Sequence, residues 1–105
     1  MNNDLIKNIT DDIIDEVSPE KIILFGSYAT GKFSKDSDLD LLIIKQMEKP
    51  ISRREVLKKI RKRLSKYTVP KDILVYSKDE FDYWKDSINH IIAVSLKEGK
   101  ILYER

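Results

Sequence analysis

Apolar residues recur at two spacings along this chain. Leu5, Ile6, Ile9, Ile13, Ile14 and Val17 fall on one face at helical spacing, which predicts an amphipathic helix over residues 4–17, ended by Ser18-Pro19. Lys21 to Phe25 is a short apolar run closed by a glycine, the pattern of a buried strand. Gly26 to Lys32 reads as a turn with a short helix, Phe33 to Ser37 as a polar loop, and Asp38 to Ile44 as a second strand, with Pro50 in the loop after it. A helix is expected over Ser52–Lys66, with Val56, Leu57, Ile60 and Leu64 as its apolar stripe and Ser52 and Glu55 as a capping box. Pro70 breaks the chain before a third strand, Asp72–Tyr76. Ser77 is placed to cap a short helix over Asp79–Trp84. A further helix over Ser87–Lys97 is stopped by Gly99, and Ile101–Tyr103 reads as a last short strand. The order α-β-α-β-α-β-α-α-β predicts an α/β or α+β domain with a mixed sheet flanked by helices.

Length and composition narrow this reading. The 105 residues suffice for a single domain, 1–105, with one modest core. A charged fraction of 36% beside 41% hydrophobic implies a heavily charged surface on a foldable chain. With no cysteine, disulfides, thiolate metal sites and cysteine nucleophiles are excluded. No apolar run is long enough to span a membrane, and Met1 to Asp4 does not open a secretory signal, so a cytoplasmic protein is expected.

The chemistry is concentrated between residues 24 and 44. Alternate residues of a strand share a face, so Asp38 and Asp40 point one way while Leu39 and Leu41 point into a core. Two adjacent carboxylates repel each other, and a hard divalent cation such as Mg²⁺ is the simplest compensation. Asp72 is the only acid at the start of the third strand and joins the pair if that strand lies beside the second. Three carboxylates and a triphosphate can hold two Mg²⁺ ions, the arrangement that serves in-line nucleotidyl transfer. Taken singly, each has a plainer reading: Asp38 as a turn residue, Asp40 facing solvent from an edge strand, Asp72 as ordinary turn chemistry after Pro70. Asp36 reads as a loop residue. Gly26 allows backbone to approach a ligand closely, and Ser27 offers a hydroxyl and an N–H at the start of a short helix.

Together these residues resemble the DNA polymerase β-like nucleotidyltransferase superfamily, and within it the minimal, MNT-type members. The signature is Leu24-Phe25-Gly26-Ser27-Tyr28-Ala29-Thr30-Gly31 followed by Ser37-Asp38-Leu39-Asp40-Leu41-Leu42-Ile43, with Asp72 as third carboxylate and a closing Lys97-Glu98-Gly99-Lys100-Ile101-Leu102-Tyr103-Glu104. The resemblance covers essentially the whole chain. It implies a polymerase β palm-like fold, metal binding and catalysis by Asp38, Asp40 and Asp72, and a grip on the triphosphate by Gly26 and Ser27. It also implies ATP as substrate and, from the antitoxin half of HEPN–MNT pairs, AMP transfer to a tyrosine of a HEPN ribonuclease toxin. The alternatives are an antitoxin that neutralises its partner by binding alone, and a nucleotidyltransferase directed at nucleic acid. Many members carry Arg where Thr30 stands, so triphosphate binding here is expected to be weaker unless Lys32 or Lys35 substitutes.

The helix over 53–66 carries eight basic residues in 14 positions, although the net charge of the chain is only +2. That face fits nucleic-acid phosphates, an acidic partner or plain solvation; a nucleic-acid role is possible but not favoured, and no aromatic residues interleave to stack on single-stranded bases. Phe81, Tyr83 and Trp84 read as core or as a partner contact, and His90 as structural. The first helix is core by default, with a homo-oligomer surface as the alternative.

Overall fold

The computed structural model describes residues 3–47 and 52–105. Nine elements follow one another: α1 (Asn3–Val17), β1 (Lys21–Phe25), α2 (Ser27–Thr30), β2 (Leu39–Ile44), α3 (Ser52–Arg63), β3 (Lys71–Tyr76), α4 (Lys78–Trp84), α5 (Ile91–Glu98) and β4 (Lys100–Glu104). Their order is the expected one. The strands form one mixed sheet in the order β3-β2-β1-β4. β1 is antiparallel to β2 and β4, whereas β2 and β3, joined through α3, are parallel.

Strand alternation divides the core in two. Ile22, Leu24, Leu41, Ile43, Ile73 and Val75 face α1 and α3, meeting Ile9, Ile13, Ile60 and Leu64. Ile23, Leu42 and Ile44 face the other way, against Phe81 of α4 and Ile92 of α5. Each such fully buried side chain stabilises the fold by about 1.5–3 kcal/mol before entropy is counted. Between Leu39 and Ile44 every β2 residue is buried except Asp40. On the α4–α5 face, position 40 therefore lies where the apolar cover ends.

Several boundaries differ from expectation for physical reasons. β2 begins at Leu39 rather than Asp38, because the Leu39 N–H opens the ladder by donating to the Pro70 carbonyl at 2.8 Å. β3 begins one residue early, at Lys71, which pairs with Leu39. Ser52 is the first residue of α3 rather than its cap, and α3 ends at Arg63, three residues short. Pro50 lies outside the described residues. A capping box does occur at α4, where Ser77 and Glu80 each accept the other's backbone N–H. α5 starts at Ile91, not Ser87: His90 is its N-cap, its Nδ1 accepting from the Ile92 N–H at 3.1 Å. The His90 ring stacks on Trp84 with centroids 4.4 Å apart, a structural role. Phe81 is core, whereas Tyr83 stands out in solvent.

Candidate active site

β1 delivers the chain into Gly26, whose φ of 73° lies in the left-handed region that only glycine enters freely. Gly26 caps the four-residue helix α2, its carbonyl accepting from the Ala29 and Thr30 N–H groups. The N–H groups of Ser27 and Tyr28 precede those first intrahelical bonds and so remain available to a ligand. A Cβ on Gly26 would stand 2.2 Å from Asp40 Oδ2. The expected close approach at this glycine is thus made first to a carboxylate of the protein itself, and it brings the Gly26-Ser27 turn and Asp40 together.

Asp40 pairs with Phe25 of β1 on one side and with Asp72 of β3 on the other. The register therefore sets two carboxylates side by side on one sheet face, at the same end of two parallel strands. Asp38 precedes β2, exposed, two residues from Asp40. The loop before it is held by serines: the Ser34 N–H donates to Ser37 Oγ at 2.8 Å, and the Asp36 N–H to Ser34 Oγ at 3.3 Å. Asp36 is an exposed turn residue in this loop.

Burial, then the negative charges of Asp72 and Asp38, push the Asp40 carboxyl above its ordinary value. The three acids thus act on one another electrostatically. They do not form a ready-made cage: among the described residues no three His, Asp or Glu side chains are arranged as a metal site. The donor set nonetheless fits Mg²⁺, which takes hard carboxylate oxygens, few from the protein and the rest from phosphate and water. Mutual repulsion at Asp40 is the strain such a cation would relieve.

The backbone under Asp72 is tied down. Lys71 Nζ donates to the carbonyls of Tyr67 and Val69, at 2.6 and 2.9 Å, and burial pushes its ammonium below its ordinary value. This clamp shapes the turn whose Pro70 carbonyl receives the Leu39 N–H. Nothing in the sequence pointed to Lys71, because its partners are main-chain atoms of a turn.

Thr30 Oγ1 donates to the Ser27 carbonyl at 3.3 Å, so its side chain serves the α2 backbone. Lys32 and Lys35 are exposed in the loop that follows. Tyr28 packs against the α1 side of the core, stacked on Phe33 with centroids 4.9 Å apart, away from the carboxylates.

The "Nucleotidyltransferase domain" family model matches residues 6–102. "Putative protein adenylyltransferase MJ0604" of Methanocaldococcus jannaschii is 36% identical over 85 residues, covering 80% of this chain and 78% of that protein. A toxin–antitoxin crystallised with AMP-PNP shares the fold with a TM-score of 0.59 at 21% identity, over 94% of this chain and 73% of that one. The toxin–antitoxin MntA–HepT does so with a TM-score of 0.52 at 19% identity, over 98% of this chain and 74% of that one. The family match over nearly the whole chain, together with the relative 36% identical to it, shows that the chain belongs to the nucleotidyltransferase domain family.

Proposed function

We propose that this domain is an Mg²⁺-dependent nucleotidyltransferase that moves AMP from ATP to a tyrosine hydroxyl of a HEPN-type toxin, and so acts as an antitoxin. The observation that carries the reading is the single register placing Asp40 between the Gly26-Ser27 turn and Asp72. The free N–H groups and hydroxyl at Ser27 suit the triphosphate. Asp38 and Asp40, with Asp72, would hold the cations. Bound divalent ions would neutralise these carboxylates and draw charge from the phosphate oxygens and departing pyrophosphate. In the transfer, the acceptor oxygen bonds to the α-phosphorus as the bond to pyrophosphate breaks. Asp72, on the side of Asp40 away from the phosphate turn, orients that hydroxyl and takes its proton. A protein acceptor is favoured by the relative described as a protein adenylyltransferase, and a toxin by the antitoxin complexes that share the fold.

Thr30 supports one other reading, an antitoxin that works by binding alone. Its hydroxyl is engaged with the Ser27 carbonyl, and it supplies no cation to the triphosphate. Mass spectrometry of the neighbouring gene's product, after incubation with this protein, ATP and Mg²⁺, separates the two. An AMP adduct on a tyrosine is the expected result; a stable complex without adduct would establish the binding antitoxin instead.

A further inference from the structure

The eight cations over residues 53–66 fall into two groups. Arg53 donates to Glu80 at 2.6 Å, Arg63 pairs with Asp12, Asp15 and Glu16, and Lys66 pairs with Asp12. These three fasten α3 and the turn after it to α4 and α1. Arg54, Lys58, Lys59, Arg61 and Lys62 are exposed and make no ion pair among the described residues. At helical spacing Arg54, Lys58, Arg61 and Lys62 form one outward stripe with Lys59 at its flank, opposite the buried Ile60 and Leu64. The stripe is about 12 Å long. Glu55 is the only acid within it. An open groove of about 590 Å³ continues it along Lys59, Lys62, Ser65 and Lys66, with Glu16 on the far wall.

We propose that this face of α3 is a second site, which takes the phosphate backbone of a nucleic-acid duplex. Charge complementarity calls for a polyanion, and the composition of the face selects which one. The core of a protein interface is enriched in aromatic and apolar anchors and depleted of lysine. This face is rich in lysine, and among the described residues the exposed large apolar ones lie elsewhere, at Tyr83, Trp84, Ile88 and Ile101. Backbone phosphates need only Lys and Arg. A single strand would be gripped in part by stacking its bases, and no aromatic ring stands in the stripe. α3 covers the sheet face opposite Asp40 and Asp72, so a duplex bound there leaves the carboxylates open. The inference is independent of the transfer reaction.

The test is fluorescence anisotropy of the full chain with labelled RNA and DNA duplexes of about two helical turns, between about 50 and 200 mM salt. The expected log K falls linearly with log salt, with a slope of about −3 to −4. Lys58→Ala/Lys59→Ala/Lys62→Ala weakens binding at least about tenfold at the lowest salt and flattens the slope by about 2 to 3. Lys78→Ala/Lys97→Ala/Lys100→Ala, the same loss of charge at exposed positions elsewhere, leaves affinity and slope close to those of the parent. All six positions are exposed, and thermal melts establish that each variant folds. Absence of binding at the lowest salt, equal losses in both variants, or polyglutamate bound as tightly as duplex would each overturn the proposal, the last by assigning the face to an acidic protein.

Discussion

Gly26 and Asp40 are in direct contact across the β1–β2 pair: the Asp40 carboxyl occupies the space that any side chain at position 26 would need. Gly26→Ala therefore meets both a positive φ of 73° and a Cβ 2.2 Å from Oδ2. The side chain of Asp40 must move, and a displacement near 1 Å at a reacting centre lowers rates on the order of 10²-fold. Backbone strain adds a stability loss of about 1–3 kcal/mol. Urea denaturation and a transfer assay on the same sample would show both effects; an active, fully stable Gly26→Ala protein would mean that the contact has no consequence.

Asp40 costs stability at neutral pH. Its folded-state carboxyl is raised by burial, Asp72 and Asp38, so its contribution favours folding below the unfolded value and is lost as pH rises through the folded one. Asp40→Asn should therefore be more stable than the parent at neutral pH in the absence of metal, the difference shrinking as pH falls towards about 4. Added Mg²⁺ should raise the melting temperature of the parent more than that of the variant. Melting curves at several pH values, with and without Mg²⁺, check both statements.

A network distant from the site holds α1 to the end of α3. Asp12 accepts from the Tyr67 hydroxyl, from Arg63 at 3.1 Å and pairs with Lys66 at 3.2 Å. The Tyr67 bond chiefly holds the Asp12 carboxyl below its ordinary value, and Asp12 in turn pushes the phenol up to about 12. Tyr67→Phe should cost about 1 kcal/mol at neutral pH. Because the folded Asp12 value is depressed, that stabilisation is present above the unfolded value and lost as pH falls through the folded one. Denaturation of parent and variant should therefore converge as pH falls below about 4.

His90 joins the cap of α5 to the only tryptophan of the chain. His90→Ala removes the acceptor for the Ile92 N–H and should lower stability by about 1 kcal/mol. Loss of the stacked ring should also alter Trp84 emission in the folded state. Unchanged emission would mean that the ring contact does not persist in solution.

Much of this was legible in the sequence, for definite reasons. Each strand is an apolar run bounded by Gly, Pro or a polar loop, and each long helix carries its own stripe, so element order followed from local pattern. The Asp38-Leu39-Asp40 spacing likewise put two acids close together at the head of the second strand. What local pattern does not carry is which strands become neighbours. Asp72 joined the site only through the register of β3 on β2, and the contact of Gly26 with Asp40 only through the pairing of β1 with β2. The basic helix shows the same limit: the acids that engage Arg63 lie 47 to 51 residues away, so paired and unpaired cations look alike in the sequence. The start of α5 differs from expectation because its cap is a histidine held by a ring stack, a signal weaker than the Ser77-x-x-Glu80 capping box of α4.

The account rests on the carboxylates at the start of β2 carrying out nucleotidyl transfer. Its most direct test is transfer of label from α-phosphate-labelled ATP, with Mg²⁺ and the neighbouring gene's product, by the parent protein and by Asp38→Asn/Asp40→Asn. The account predicts label on the acceptor with the parent and a loss on the order of 10³-fold or more with the double variant, whose melting curve stays cooperative. Transfer undiminished in a folded double variant would contradict it.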